Sequence, residues 1–434
     1  MSQKFRLDKV GYINRDKKIS FKFNGKKYFG YEGDTLASAL IANGVHLVGR
    51  SFKYHRPRGF MGAGIDEPNA QVQLYDGAKT EPNAMATTIE LVEGLVAASQ
   101  NCWPSVYFDF GAINNFLSKF FPAGFYYKTF MWPKSFWYKI YEPIIRKAAG
   151  LGVAPLKPDS DRYEHKFEFC DVLVVGSGPA GLSSALASAR NGARVILAED
   201  KPRFGGSLLT DEVTIGNKNG KDWADEIIAQ LKSMDNVIIK NRSQVFGYYD
   251  HNMMVMVEKT KDHIENPKKF IPRQRLWYIR AREVIISTGS IERPLVFGNN
   301  DRPGIMLASA AKEFMKVYGV LVGKKPIIFT NNDSAYDTAI EFKKNGIDPI
   351  VVDVRKTSES SVIKEAKNLN IDIRFSYGVA NTNGYRKVKS AVIGKLNKER
   401  TDYESLETID CDCICVSGNW TPTVHLSSQS GNKL

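Results

Sequence analysis

The chain has 434 residues, 43% of them hydrophobic, and a formal net charge of +13, enough apolar content to bury cores in two or three domains. It has no run of about 18 apolar residues that would cross a bilayer. Its start, MSQKFRLDKV, has no apolar segment of the secretory kind, and its five cysteines do not suggest a secreted disulfide framework, so a cytoplasmic location with reduced thiols is expected. Lys and Arg are spread through every segment instead of forming one basic stripe interleaved with aromatics, which argues against nucleic acid. A basic surface does suit an acidic partner subunit or an anionic cofactor.

Residues 19–23 alternate apolar and polar, Asn24-Gly25 follows, and a second extended segment reaches Tyr31, which together predict a β-hairpin. Leu36, Ala37, Leu40 and Ile41 then recur at helical spacing until Asn43-Gly44 closes the helix. Hairpin then helix predicts a β-grasp domain over 14–100. In plant-type ferredoxins a loop after such a helix supplies cluster cysteines. Here that loop reads VHLVGRSFKYHRPRGFMGAG and has no cysteine, so an iron–sulfur cluster is excluded.

Residues 101–165 form an aromatic-rich, basic connector in which Phe125, Tyr126, Tyr127, Phe130, Trp132, Phe136, Trp137, Tyr138 and Tyr141 crowd together. Pro133 and Pro143 are expected to interrupt any long helix. Lys119, Lys128, Lys134, Lys139, Arg146 and Lys147 face only Glu142, a pattern compatible with an interfacial membrane segment. The preferred reading is a clamp between domains or a subunit interface, where aromatics bury large area at little entropic cost. The charged stretch 155–166, with two prolines, reads as a linker.

The region 166–434 opens on the most informative stretch, FEFCDVLVVGSGPAGLSSALASARNGARVILAED. A buried strand at 172–175 runs into Gly176, Gly178 and Gly181 in G-x-G-x-x-G spacing, and a second strand at 195–198 ends at Glu199. Gly176 permits the tight turn, Gly178 lets the backbone approach a pyrophosphate, and Gly181 lets the helix pack close on the strand. The Glu199 carboxylate lies where it would accept from an adenosine ribose. A helix at 223–231 and strands at 237–240, 245–249, 253–258, 277–280 and 283–286 follow. A second nucleotide-type subdomain is expected near 296–404, with a strand at 326–329, a helix from about Ala335 and a strand at 350–354 carrying Asp353. Its turn reads Thr330-Asn331-Asn332-Asp333-Ser334. Without glycines, that backbone cannot easily approach a pyrophosphate.

The strings RSFKYHRPRGFMGAGIDEPNA from Arg50, NCWPS from Asn101, GFYYKTFMWP from Gly124, AAGLG from Ala148 and VSGNWTPTVHLSSQSG from Val416 resemble the α subunit of heterotetrameric sarcosine oxidase across nearly the whole chain. The fold implied is mixed α/β and α+β: an N-terminal β-grasp of the 2Fe-2S ferredoxin type without cluster cysteines, then a two-dinucleotide-binding-domain flavoprotein fold of Rossmann type. The resemblance implies NAD in the glycine-rich cradle, with FAD as the alternative, and FMN at the interface with a partner subunit. It also implies partners of β, γ and δ type, the β subunit carrying the FAD that oxidises the amine. By the same resemblance Gly176, Gly178, Ala180 and Gly181 face the pyrophosphate, Glu199, Asp200 and Lys201 meet the ribose, and Ser207 and Val245 lie near the cofactor. In the family a C-terminal half that binds tetrahydrofolate captures the one-carbon unit. The chain stops at Leu434 without it, which is expected of a fragment or of one product of a divided gene. Opine, proline and cyanide-forming amine dehydrogenases have related α subunits.

Cys411, Cys413 and Cys415 alternate along one expected strand and read as buried thiols, since a zinc site needs ligands converging from two loops. His55 and His425 sit in loops without a neighbour along the chain that defines a role. No Gly-x-Ser-x-Gly elbow or outstanding carboxylate pair occurs.

Overall fold

Asn24 and Gly25 both take positive φ, 50° and 76°, a turn whose twist matches that of antiparallel strands. Strands Asn14–Phe23 and Lys26–Glu32 close around it with Phe23 opposite Lys26. Thr35 and Ser38 cap helix Leu36–Ala42 reciprocally, and every residue of that helix is buried. The sheet runs Lys26–Glu32, Asn14–Phe23, Val96–Ser99, Gln71–Leu74, Glu81–Met85, with Asn14–Phe23 parallel to Val96–Ser99 and the other pairs antiparallel. This is the β-grasp that the hairpin and helix predict.

The computed structural model describes residues 3–75, 77–121, 124, 130–148 and 150–431. Contacts divide the chain into two units, Met1–Asp159 with Arg293–Asn419 and Ser160–Glu292 with Trp420–Leu434. The division joins the nucleotide-type subdomain to the β-grasp residues. Arg56 and Arg58 both pair with Asp301, Arg6 bonds Asp34 and the Tyr318 carbonyl, and Phe60 meets Phe314 edge-on.

Within the first unit, residues 293–419 form a parallel sheet in the order Ile305–Leu307, Cys413–Ser417, Pro326–Thr330, Ile350–Asp353, Asp372–Phe375. A three-stranded antiparallel sheet, Tyr377–Gly384, Val388–Leu396 and Tyr403–Asp410, accompanies it. Cys411 precedes the strand that carries Cys413 and Cys415, and all three are buried. The connector is a series of short turns. Pro143 stands where the π turn Trp137–Tyr141 runs into the helix Glu142–Ala148, so the regular helical ladder changes beside it. Phe125, Tyr126 and Tyr127 lie outside the described residues.

In the second unit, six strands run Val237–Lys240, Val195–Ala198, Tyr163–Val175, Gln274–Ile286, Met253–Lys259, Ser243–Tyr249; the first four are parallel and the last two antiparallel additions. Helices Pro179–Arg190 and Gly220–Lys232 pack on one face through Leu182, Ala185, Ile227 and Leu231. Trp277, Met254, Met256 and Ile279 fill a second cluster.

The cradle strand begins at Tyr163, earlier than its apolar run. Residues 163–166, expected in the linker, are already paired with 274–277. The two short strands expected at 277–280 and 283–286 are likewise one, Gln274–Ile286. Apolar content locates only part of each strand, the buried end of Tyr163–Val175 and the middle of Gln274–Ile286, where Trp277, Ile279 and Ala281 are buried. The polar half of Tyr163–Val175 is held across the sheet, with Phe167 stacked on Tyr278 at 5.0 Å and Lys166 over Trp277 at 4.4 Å.

Candidate functional site

The glycine turn leaves strand Tyr163–Val175 with Gly176 at φ +98°. A Cβ there would stand 2.4 Å from the Ser287 carbonyl oxygen, and one on Gly181 would stand 1.9 Å from the Gly176 carbonyl oxygen. Neither position accepts a side chain. Gly178 differs: its φ is −66° and a Cβ would meet nothing within 4 Å. Its hydrogen faces open space, and it caps a twelve-residue helix, Pro179–Arg190, whose first-turn N–H groups lack intrahelical acceptors. An open glycine at the positive end of a helix has the geometry and the charge to receive a pyrophosphate.

Glu199 stands at the end of the adjacent strand, 6% exposed. Its Oε2 accepts from the Ser177 N–H at 2.9 Å and the Ser177 hydroxyl at 2.5 Å, and its Oε1 accepts from the Lys201 N–H at 3.0 Å. Burial, with the Asp200 carboxylate beside it, pushes the Glu199 carboxyl up to about 7 against those hydrogen bonds. The carboxylate thus ties the glycine turn to the second strand. Beyond the Lys201 N–H, Oε1 retains acceptor capacity for a ribose hydroxyl.

Asp200 is exposed and Lys201 half-buried next to it. Ala180 is exposed in the first helical turn, and Ser207 is exposed in the turn Gly206–Leu209. That turn packs on the cradle: a Cβ on Gly206 would stand 2.9 Å from the Gly178 Cα, and the Gly205 N–H donates to the Ser177 carbonyl at 3.1 Å. The structure therefore gathers Gly176, Gly178, Ala180, Gly181, Glu199, Asp200, Lys201 and Ser207 around one turn. Val245 lies on the strand whose Ser243 N–H donates to the Glu199 carbonyl, and its side chain is buried in the cluster that holds Val175 and Ala198, the residues just before the turn and the acid. Ser177 is the residue that motif reading missed. It bridges Glu199 and Gly205, and its only signal was a hydroxyl between two glycines.

Residues 170–434 match the family model described as pyridine nucleotide-disulphide oxidoreductase. The chain belongs to that oxidoreductase family. Over 99% of its length it is also 46% identical to the alpha subunit of sarcosine oxidase from Rhizobium meliloti (strain 1021), covering 42% of that protein. A shorter likeness, 27% over 40% of the chain and 36% of the relative, is to an opine oxidase subunit of Agrobacterium tumefaciens (strain Ach5). The fold matches that of L-proline dehydrogenase from P. horikoshii, with TM-score 0.64 and 19% identity over all of this chain and 65% of that one. The chain thus spans about two fifths of the length of the sarcosine oxidase subunit it resembles.

The family fold is used twice, with different chemistry at the two turns. In the second, Asp353 occupies the place of Glu199, fully buried at its strand end. It accepts from the Tyr336 hydroxyl at 2.7 Å and pairs with Arg355 at 2.8 Å, while Arg355 also reaches Asp333. Asn332 accepts from both the N–H and the hydroxyl of Ser334 and donates to Ser417. Side chains of the chain itself thus engage the turn and the acid.

Residues 16–102 match a family model described as a 2Fe-2S iron–sulfur cluster binding domain. The residues present do not fit a cluster, since Cys102 is the sole cysteine in that span. Instead the loop folds around Glu67, whose carboxylate accepts from the N–H groups of Met61, Gly62, Asn69 and Ala70 at 2.6–3.0 Å. Burial raises the thiols, Cys102 to about 11 and Cys170 and Cys411 to about 12, so they stay protonated at neutral pH. Among the described residues, no helix is long and apolar enough to cross a membrane.

His55 and His425 also differ from expectation. His425 opens the short helix His425–Gln429 rather than lying in a loop. His55 does have an acidic neighbour, brought from far along the chain: its Nδ1 lies 2.7 Å from Asp109 Oδ2.

Proposed function

We propose that this chain is the NAD-binding portion of the α subunit of a sarcosine oxidase-type complex. Such a complex demethylates sarcosine to glycine oxidatively, passes the one-carbon unit to tetrahydrofolate and forms peroxide. The observation that carries the reading is the 46% identity along 99% of the chain, and the intact glycine cradle supports it. In that role Gly178 and the first turn of helix Pro179–Arg190 receive the pyrophosphate, Glu199 and Asp200 receive the ribose hydroxyls, and Lys201 and Ser207 flank them. Any contact from Val245 is through its backbone, because its side chain is in the core. A bound flavin or nicotinamide supplies the hydride chemistry; the chain's own residues bind, orient and screen it. FAD is the alternative occupant of the cradle.

Amine oxidation belongs to a β-type partner, with γ- and δ-type subunits completing the complex and FMN held between α and β. Tetrahydrofolate binding needs sequence beyond these residues, and the complex works in the cytoplasm. The test is co-expression with the partner subunits, identification of released nucleotides, and sarcosine-dependent peroxide. NAD bound to the chain, with peroxide and formaldehyde appearing only after reconstitution, is the expected result. Amine turnover by residues 1–434 alone would overturn it.

A second reading, the α subunit of an opine or proline dehydrogenase, is favoured by the opine oxidase likeness. The same reconstituted complex assayed with opines, proline and sarcosine separates the two. A third, a non-catalytic scaffold, predicts a complex whose turnover is unchanged when the cradle is destroyed.

A further inference from the structure

Residues 103–120 display large apolar side chains to solvent. Trp103, Phe108, Phe110, Ile113, Phe116 and Phe120 are each between 57% and 86% exposed. Together they present on the order of 800 Å² of apolar surface, about one side of a standard protein interface.

The face is held in place by buried polar groups. Arg50, 6% exposed, donates twice to the Val106 carbonyl, at 2.9 and 2.7 Å, and once to the His55 carbonyl. Asp109 pairs with His55 and accepts from the N–H groups of Trp103 and Gly111 at 3.0 and 3.1 Å. A Cβ on Gly111 would stand 2.3 Å from the His55 ring, so the turn is fitted to the imidazole. At the far end the Tyr54 hydroxyl and the Lys53 ammonium both donate to the Phe121 carbonyl. Above this frame the Phe110 ring lies 5.1 Å from both Trp103 and Phe108. Buried Arg and His–Asp groups that fix exposed aromatics make a preorganised contact surface.

Charge indicates what covers it. The carboxylate of Asp109 is buried against His55, and Glu142, further along the connector, is paired with Arg146. Lys119 stands within the segment, and Arg386 lies over Tyr107 at 5.7 Å. These two charges, Lys119 of the segment and Arg386 at its edge, are cationic and have no carboxylate partner among the described residues. A membrane anchor with this composition is a single amphipathic helix with one apolar face, whereas here Trp103 and Phe108 come from the loop before the short turns Phe110–Ala112, Ile113–Phe116 and Ser118–Phe120, and Phe110, Ile113, Phe116 and Phe120 from those turns.

We propose that this face docks a separate protein, the amine-oxidising subunit, through an apolar patch rimmed by Asp and Glu. The inference rests on the α-subunit reading above. The test uses the full chain and the amine-oxidising flavoprotein subunit of its own genome, with association measured by calorimetry and sedimentation. Phe110→Asp combined with Phe116→Asp is expected to weaken association about 100-fold. Lys119→Glu, which leaves the aromatics intact, should weaken it about 5-fold and reduce its salt dependence. Val296→Asp, at a site 87% exposed elsewhere, should leave it unchanged. A melting temperature within about 2 °C of wild type shows that each variant is folded. Should the double variant unfold, the Lys119→Glu result decides alone.

Wild type and folded double variant binding equally tightly would overturn the docking face and leave the α-subunit reading intact. A wild-type chain with no affinity for that flavoprotein would overturn both. Flotation of wild type, but not the double variant, with phosphatidylcholine vesicles containing phosphatidylserine would assign the face to a membrane. Self-association lost in the double variant would assign it to a second copy; either outcome overturns the proposal.

Discussion

The two nucleotide-type turns share a topology and differ in what their acids touch. Glu199 binds its own glycine turn through Ser177 and leaves Gly178 open, while Asp353 is neutralised by Arg355 and held by Tyr336. One strand-end carboxylate frames a space and the other is locked into packing. Beside Glu199 the backbone stays bare at Gly178, while the turn beside Asp353 is engaged by side chains. An arginine two residues on converts the same position into a structural ion pair.

Gly181→Ala should have the largest effect, because its Cβ would stand 1.9 Å from the Gly176 carbonyl oxygen. Overpacking against backbone is expected to cost about 3 kcal/mol and to abolish dinucleotide binding. Urea unfolding and calorimetry measure the two separately. A folded, binding-competent G181A would show that helix and strand are less closely packed than described.

Glu199→Ala removes the acceptor of three hydrogen bonds and is expected to destabilise by about 2 kcal/mol and to weaken NAD by about 10-fold or more. Glu199→Gln sharpens the point through pH. A carboxyl raised from 4.5 to about 7 holds its proton more tightly in the folded chain. Its contribution to stability is therefore fully present below about pH 4.5 and lost as pH rises to about 7. Wild type should lose stability relative to E199Q across that window, and melting temperatures at several pH values test it. Parallel curves would mean that Glu199 titrates normally.

Arg355→Met probes the other acid. With Asp353 fully buried and Arg355 partly exposed, the loss should be near 2 kcal/mol, with nucleotide binding at the first cradle unchanged. Denaturant midpoints and NAD calorimetry report both. New nucleotide binding at the vacated turn would show that Arg355 alone closes the second site.

The smallest stability change belongs to Gly178→Ala, about 1 kcal/mol or less, since φ is −66° and no atom opposes a methyl group. The effect on binding should be about 10-fold, because the methyl stands where a pyrophosphate would approach. A variant that lost stability but kept affinity would reverse the roles assigned to Gly178 and Gly181.

Much of this was legible along the chain. Asn24-Gly25 set a hairpin through its left-handed φ values, Leu36 to Ile41 read as a helix, and the three glycines announced a tight turn, because each is a local demand on backbone geometry. The polar half of strand Tyr163–Val175 was not legible. Its charged and aromatic residues become a strand only when Gln274–Ile286 lies beside them.

By itself, then, the sequence determined where the backbone must be bare: glycine at 176, 178 and 181, an acid after the second strand, and no cysteine in the cluster loop. These are properties of single residues and their immediate neighbours. Tertiary structure alone decided which partners the buried polar groups have. Glu199 meets Ser177 across 22 positions, Asp109 meets His55 across 54 and Asp301 meets Arg56 across 245. Burial makes an unpaired charge costly, so each had to find a partner, and only the fold brings those partners within reach.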